Sequence, residues 1–483
     1  MRPDVLVPVG LWAAAHGAAW AAGFRMRIPW DYYQLLDRDV LRAHPLGGLC
    51  YLHSQPPGLN VLLAGVLRCA GVFGTSPEAV AALVFLLFAL AAALALFHVL
   101  AVAAESRAVA GAGVALVLAN PGYHVFANLF FYEFLVYASL LLLVAASVRY
   151  VARGDGRALL LIVVLTAATS LTRTLFHPVW ALGFCMLAVG LRGWVAGRGR
   201  HAVLAVVVLI CLLSLWPLKN CVVFGRASFG TMTGYNLARG IPECVRLATV
   251  APAGDGNAIV ARARAACGEP ALPALTAPAK SDGSPNWNHA RWLLRADELA
   301  RCGVAWRRAH PLEWLGRTAG QYTMWTRATF EHPYGRQLLG PPTPAYLHYA
   351  AWYDAVLFLD LRPFVEWLLP HARLHQYATI RGMPVPYTIF GVVVLPVVVA
   401  LLLTLCVRKA HPLRAALALL LLWSTLWPML AVCLTDGQEG NRMRFSTSGL
   451  FIVMLACIWS ALRERIATRP VPDARQPTGT APP

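Results

Sequence analysis

Apolar runs long enough to cross a hydrocarbon layer recur from the first residues of this chain to the last, and nothing else in the sequence constrains the fold as much. Those near 4–23, 79–103, 131–151, 202–218, 384–407, 413–434 and 446–462 approach or reach the roughly 20 residues that a spanning helix needs. Inside a bilayer only helices and closed barrels satisfy the backbone, and runs of this length read as helices. Composition agrees: with 58% hydrophobic and 13% charged residues, polar surface is too scarce to cover a water-soluble globule. The chain reads as an all-α polytopic membrane protein, and a soluble enzyme is excluded.

The net charge of +18 would suggest nucleic acid in a soluble protein. Here the arginines gather in short segments between apolar runs, the pattern that fixes membrane orientation. That pattern also settles a parity question, because Pro57 to Phe73 and Ala79 to Ala103 compete to be the second crossing. If only the latter spans, Arg107, then Arg149, Arg153 and Arg157, then Arg192, Arg198 and Arg200, then Arg408, Lys409 and Arg414, and finally Arg463, Arg465 and Arg469 all share the side of Arg2. That side is cytoplasmic by the positive-inside bias. Pro57 to Phe73 then belongs to the first external loop as an apolar helix at the outer interface.

The map that follows has about ten crossings, both termini inside, and external segments at 24–78, 120–131, 173–177, 219–383 and 435–446. It divides the chain into an N-terminal membrane module with the first external loop (1–218), a large extracytoplasmic loop (219–383), C-terminal membrane helices (384–468) and a Pro-rich disordered tail (469–483). The first run is read as a retained helix, with a cleaved signal peptide as the alternative. The 11 cysteines show no metal-ligand spacing. Cys185, Cys211, Cys406, Cys433 and Cys457 lie inside apolar runs, whereas Cys244, Cys267 and Cys302 fall in the large loop, where an oxidising compartment would permit one disulfide.

On this map the polar side chains that sit worst with a membrane fall at the external boundary: Asp31 and Asp37, His53 with Gln55, Glu133, Arg173 with His177, Lys219 with Asn220, and Glu439 with Arg442 and Arg444. Ionisable groups there are costly unless paired or functional, so their convergence marks a site at the lipid surface. The sequence Trp30-Asp31-Tyr32-Tyr33-Gln34 follows the first helix, His53-Ser54-Gln55-Pro56-Pro57-Gly58-Leu59 opens an apolar helix, and Asn120-Pro121-Gly122 is followed by Glu133. Late in the chain comes Glu439-Gly440-Asn441-Arg442-Met443-Arg444-Phe445. In these segments the chain resembles the GT-C glycosyltransferases, of the protein O-mannosyltransferase and aminoarabinose-to-lipid-A transferase type. Better-known members carry an acid and a lysine before the two prolines; this chain has Ser54 and Gln55, and Glu133 stands where an aspartate is more usual.

The resemblance implies a GT-C-like bundle that transfers a sugar from a polyprenyl-phosphate donor to a lipid, glycan or protein acceptor hydroxyl outside the membrane, with inversion. It implies a bacterial inner-membrane location, with membrane lipids as partners and no nucleic acid. No cofactor is fixed by the residues, and a divalent metal is left open. The first-loop acid, Asp31, is the candidate base, with Asp37 the runner-up and Glu133 a third acid able to polarise the acceptor or orient Arg173. A positioned base contributes roughly 10² to 10⁴ in rate. Asp31 also reads as an ordinary helix N-cap, and Asp39 as a partner of Arg42 at i, i+3.

Arg442 and Arg444 suit the donor phosphate, since guanidinium forks match phosphate oxygens, although lipid anchoring is their ordinary role. Lys219, Gln55, His53, His177, Arg173 and Glu439 complete the substrate-binding candidates, each with a plain structural role available. Trp292, Trp306, Trp325 and Trp352 of the large loop suit either sugar stacking or interfacial anchoring. Two other classes stay open: a transporter or flippase of a lipid-linked substrate, which would show polar mid-membrane residues on broken helices, and a non-catalytic subunit of the same fold.

Overall fold

The computed structural model describes residues 3–196, 202–249, 256–325, 349–350, 352–353, 393–408, 412–435 and 440–467. Glu439, most of 326–383 and the tail 469–483 lie outside the described residues, as does the side chain of Arg442. The helices of the first half are α1 (Pro3–Ala21), α2 (Arg38–Ala43), α3 (Pro45–Tyr51), α4 (Gly58–Phe73), α5 (Pro77–Ala104), α6 (Arg107–Leu118), α7 (Pro121–Ala127), α8 (Tyr132–Arg153), α9 (Gly156–Thr172), α10 (Pro178–Ala196) and α11 (Ala202–Phe224). The large loop contributes α12 (Met232–Ala238), α13 (Pro242–Thr249), α14 (Gly256–Cys267), α15 (Pro273–Thr276), α16 (Ala290–Ala309) and α17 (Pro311–Trp325). Then come α18 (Leu395–Arg408), α19 (Pro412–Thr435), α20 (Gly440–Phe445) and α21 (Ser448–Ala467). Among the described residues no strand forms; there are only two isolated bridges, Arg27 with Leu129 and Ala279 with Pro285.

Five helices, α5, α8, α10, α11 and α19, are long and apolar enough to cross a membrane, and α6 with α7 would add a sixth if that pair, bent by 66°, is one span. The apolar stretches of α1, α4, α9 and α18 are shorter, between 10 and 17 residues, and α21 carries Arg463, Glu464 and Arg465 near its end. The described chain is therefore all-α, with five or six helices of spanning length and composition where the sequence suggested about ten. Burial ranks these helices. In the most apolar window of α8, 78% of residues are buried, against 22% in α11. On α11 the exposed Leu204, Val207, Leu215, Leu218 and Val222 have lipid as their natural solvent.

Local chemistry sets the helix ends. Ser76 caps α5 by accepting from Ala79 N at 3.1 Å, with Pro77 at the first helical position. Gly154 ends α8 in the left-handed region at φ 69°, where glycine bears no side-chain penalty, and Asp155 starts α9 by accepting from Arg157 N at 3.0 Å. At the same end of the bundle Arg414 joins three helices, bonding Glu105 after α5 and Glu464 of α21. Near the other end Pro217 does not stop α11, which runs on to Phe224. A proline removes one helical hydrogen bond without ending a helix whose apolar surface favours continuation, so α11 runs past position 219.

Beyond the spans, the large loop builds two small cores. One joins Tyr51 of α3 with Val223, Phe224, Ala271, Leu275 and Leu293; the other holds Ala238, Ile241, Leu299 and Trp306. Two disulfides, Cys50–Cys267 and Cys244–Cys302, staple them, where the sequence suggested one and left out Cys50. Helix α12 lies hard on α16: a Cβ on Gly234 would come within 2.9 Å of the Ala296 carbonyl carbon, so only glycine permits that approach.

Candidate functional site

The segment that follows α1 is tied to α8 before it reaches its acids. Arg27 N donates to Asn128 O at 3.0 Å and Phe130 N to Arg27 O at 2.9 Å, which lays residues 27–32 along the segment that opens α8. The Tyr32 hydroxyl lies 3.2 Å from that of Tyr132, and the Tyr32 ring packs on Phe131. From α4, Asn60 accepts from Leu36 N at 2.8 Å and donates to Gln34 O at 3.0 Å. The loop is thus held at both ends with Asp31 exposed between them.

The two first-loop acids differ. Asp37, not Asp31, is the N-cap: its Oδ1 accepts from Asp39 N at 2.8 Å and Val40 N at 3.2 Å, and its Oδ2 accepts from Ser281 N. Six positions separate the expected cap, Asp31, from the observed one, Asp37, because helix α2 starts at Arg38 rather than just after Trp30. Asp39 pairs with its neighbour Arg38 at 3.6 Å instead of with Arg42. Asp31 makes no hydrogen bond or ion pair among the described residues, which leaves its carboxylate free to act on something else.

Beneath this loop lies a buried ion pair. Glu133, 0% exposed in the first turn of α8, accepts from Arg173 Nη1 at 3.2 Å, and Arg173, 5% exposed at the end of α9, lies over the Tyr132 ring at 4.1 Å. An acid suits the first turn of a helix, and a guanidinium on an aromatic face gains further attraction. One edge of Arg173 remains: among the described residues its buried Nη2 has no hydrogen-bond partner. Helix α20 closes the far side. Ser446 Oγ donates to Glu133 O at 3.4 Å, the Phe445 ring stacks on Phe126 at 4.6 Å and Tyr137 at 5.2 Å, and Arg444 is buried. Met443 meets Trp325 of α17, so the large loop roofs this end of the bundle.

The 53–58 segment forms the next wall. A Cβ on Gly58 would come within 2.8 Å of Thr172 Cα, which seats the start of α4 directly beside Arg173. Buried Gln55 carries an Nε2 with no partner among the described residues, a second pair of unused N–H groups on this wall. His53 has a different job. Its Nε2 donates to Asn288 O at 2.8 Å and its Nδ1 faces Thr231 Oγ1 at 3.1 Å, while Asn288 Oδ1 accepts from His53 N at 2.9 Å. Complete burial pulls its imidazole down to about 3, so it is neutral and structural.

Two more candidates also turn to structural work. Lys219 Nζ lies 3.8 Å over the Trp216 ring and donates to Cys50 O at 3.2 Å and to Leu52 O, gripping the end of α3. His177 is exposed and caps α10, accepting from Val179 N at 3.3 Å, with Phe229 as its ring neighbour. Of the tryptophans, Trp306 and Trp325 are buried core, Trp352 is exposed, and Trp292 stacks on Trp287 at 4.4 Å. The structure therefore brings Glu133 and Arg173 together under Tyr132, which the Asp31 loop meets through Tyr32, and seats the segment that follows Gln55 against the end of α9; His53, Lys219 and Asp37 each bond backbone or side-chain groups of the protein. Sequence reasoning gave no individual role to Tyr32, Tyr132, Asn288 and Lys280; the rarity of lysine, three against 38 arginines, was the one signal for the last.

No group of three or more His, Cys, Asp and Glu side chains able to hold a metal ion occurs among the described residues. No protein-family model matches the chain, and no curated protein matches it.

Proposed function

We propose that the chain is an integral membrane glycosyltransferase of GT-C type, which moves a sugar from a polyprenyl-phosphate donor to an acceptor hydroxyl on the extracytoplasmic face. The observation that supports this reading is the pair of unused buried donors, Arg173 Nη2 and Gln55 Nε2, on segments that the Gly58–Thr172 contact brings together, with the exposed carboxylate of Asp31 on the loop above the Glu133–Arg173 pair. Buried N–H groups without partners are costly, and an anionic ligand that accepts from them would remove the cost. A phosphate diester or monoester on a lipid has the right charge, and a guanidinium is suited to hold it.

In the reaction the acceptor oxygen attacks the anomeric carbon as its proton passes to Asp31. The bond from that carbon to the phosphate oxygen breaks, and its electron pair leaves with the phosphate. Attack opposite the leaving group inverts the anomeric centre. Arg173 and Gln55, with Arg442 and Arg444 of α20 adding charge, stabilise the departing phosphate. Glu133 orients Arg173 and neutralises it between turnovers. About ten crossings with both termini inside remain the proposed topology. In its favour, all four disulfide-bonded cysteines fall in the segments 24–78 and 219–383 assigned to the outside, where thiols are oxidised.

The test is transfer of labelled sugar from polyprenyl-phosphate sugars by the purified protein in proteoliposomes. Asp31→Asn should fold normally and lose roughly 10² or more in rate. An Asp31→Asn variant with full activity would reject Asp31 as the base, and a wild type inert with every polyprenyl-phosphate sugar would reject the reading.

A further inference from the structure

Only three of the 41 basic residues are lysine, and both of those among the described residues, Lys219 and Lys280, are turned inward onto pairs of backbone carbonyls in the first external loop. Lys280 reaches in from the large loop. Its Nζ donates to Trp30 O at 2.8 Å and to Tyr32 O at 2.9 Å, and the side chain is 7% exposed. Those carbonyls flank Asp31. An ammonium is a compact point with three rotatable donors, which suits two carbonyls converging from either side of one residue; a planar guanidinium fork does not.

The lysine is itself held in place. Its own N–H donates to Ser284 O at 2.8 Å, Gly283 N donates back to Lys280 O at 2.9 Å, and the bridge between Ala279 and Pro285 closes the turn. Asn286 ties the turn to α15, donating to Ala274 O at 3.0 Å and Ala277 O at 2.8 Å. The next residue along, Ser281, bonds Asp37, so one turn engages both ends of the acidic loop. Burial opposes the ammonium charge, while Asp282 on its own turn and Asp31 and Asp37 across from it favour that charge. Arg38, 6.0 Å over the Trp30 ring, is another cation at this loop.

We propose that Lys280 is a positioning residue for Asp31: it clamps the carbonyls on both sides and so fixes the direction in which the carboxylate leaves the loop. The role rests on Asp31 acting as the base. A side chain this buried, spending its donors on the two peptides around one exposed acid, contributes more than a packing contact elsewhere in the loop would. Displacing a catalytic group by about 1 Å can cost on the order of 10²-fold in rate, so the clamp belongs to kcat rather than to donor binding.

The experiment compares wild type, Lys280→Met and Lys280→Arg in full-length protein, by amide hydrogen exchange and by steady-state transfer kinetics. In Lys280→Met, exchange should rise by roughly tenfold or more across residues 30–37 while α8 and α16 keep their protection. Its kcat should fall by roughly 10 to 10²-fold with the donor KM little changed. Lys280→Arg restores the charge but not the fit, so it should recover only part of kcat; it also serves if the methionine variant does not accumulate. Unchanged exchange at 30–37, or an unchanged kcat in both variants, overturns the positioning role. Exchange is read without turnover, so an inert wild type with a loosened Lys280→Met loop removes Asp31 as base and leaves only a structural clamp.

Discussion

The buried pair of Glu133 and Arg173 allows a prediction with a worked magnitude. At 3.2 Å and an effective dielectric constant near 20, their attraction is about 5 kcal/mol. Desolvation offsets much of it, so the pair adds little beyond what well-packed apolar residues would give, but removing one partner leaves a charge stranded at 0% or 5% exposure. Arg173→Met should therefore destabilise by about 3 to 5 kcal/mol, with up to about 1 kcal/mol of that from the lost contact with the Tyr132 ring. Glu133→Gln keeps an acceptor for Arg173 but leaves the guanidinium without its counter-charge, and should cost less. The double variant should recover most of the loss, because neither charge is then alone. The assay is thermal or denaturant unfolding in one detergent for all four proteins, giving a double-mutant coupling energy. A coupling below about 1 kcal/mol would refute the buried pair. Activity separates structure from chemistry: the double variant should be stable yet inactive if Arg173 holds the phosphate, and active if it only balances Glu133.

Three more outcomes follow from the geometry. Gly234→Ala sets a Cβ against the Ala296 backbone and should destabilise by about 1 to 3 kcal/mol in the same unfolding assay; a neutral result would mean that α12 does not lie so close to α16. His53 has its pKa pulled down to about 3 by burial, against about 6.5 when unfolded. Its contribution to stability is whole above pH 6.5 and fades as pH falls toward 3, by up to about 1.4 kcal/mol per unit, so His53→Gln should flatten Tm against pH between 6 and 4; parallel curves would contradict a buried neutral ring. Cys50→Ser should free Cys267 for maleimide labelling and lower stability by about 2 to 5 kcal/mol, whereas a wild type already labelled at Cys267 in intact membranes would rule out an oxidised loop.

Much of this could be read from the sequence where one residue's chemistry was decisive. The length and apolarity of Pro77–Ala104, Tyr132–Arg153 and Pro412–Thr435 made them helices whatever they pack against. Glu133 and Arg173 stood out because an ion in an apolar setting needs a partner, and each proved to be the other's. The first loop was harder. Asp31 and Asp37 are both acids ahead of amphipathic residues, and only the start of α2 at Arg38 decides which one caps it. Lys219 looked like a cation for substrate because nothing in the sequence reveals that the carbonyls of Cys50 and Leu52 lie within its reach. The same limit hid Lys280 and Asn288, whose partners are more than 230 residues away along the chain.

That separation gives the protein a timetable. The Asp31 loop is made early, yet its ammonium clamp comes 250 residues after Trp30, its disulfide partner 217 residues after Cys50, and the asparagine that binds His53 235 residues later. At about 5 to 20 residues per second of synthesis, the Asp31 loop waits roughly 10 to 50 s before the residues that bond it are made. A ribosome that stops anywhere before Lys280 leaves a chain with its early helices and Asp31 but without the ammonium that bonds the carbonyls of Trp30 and Tyr32. The finished geometry of the first loop is thereby reserved for chains whose large loop has been made and folded.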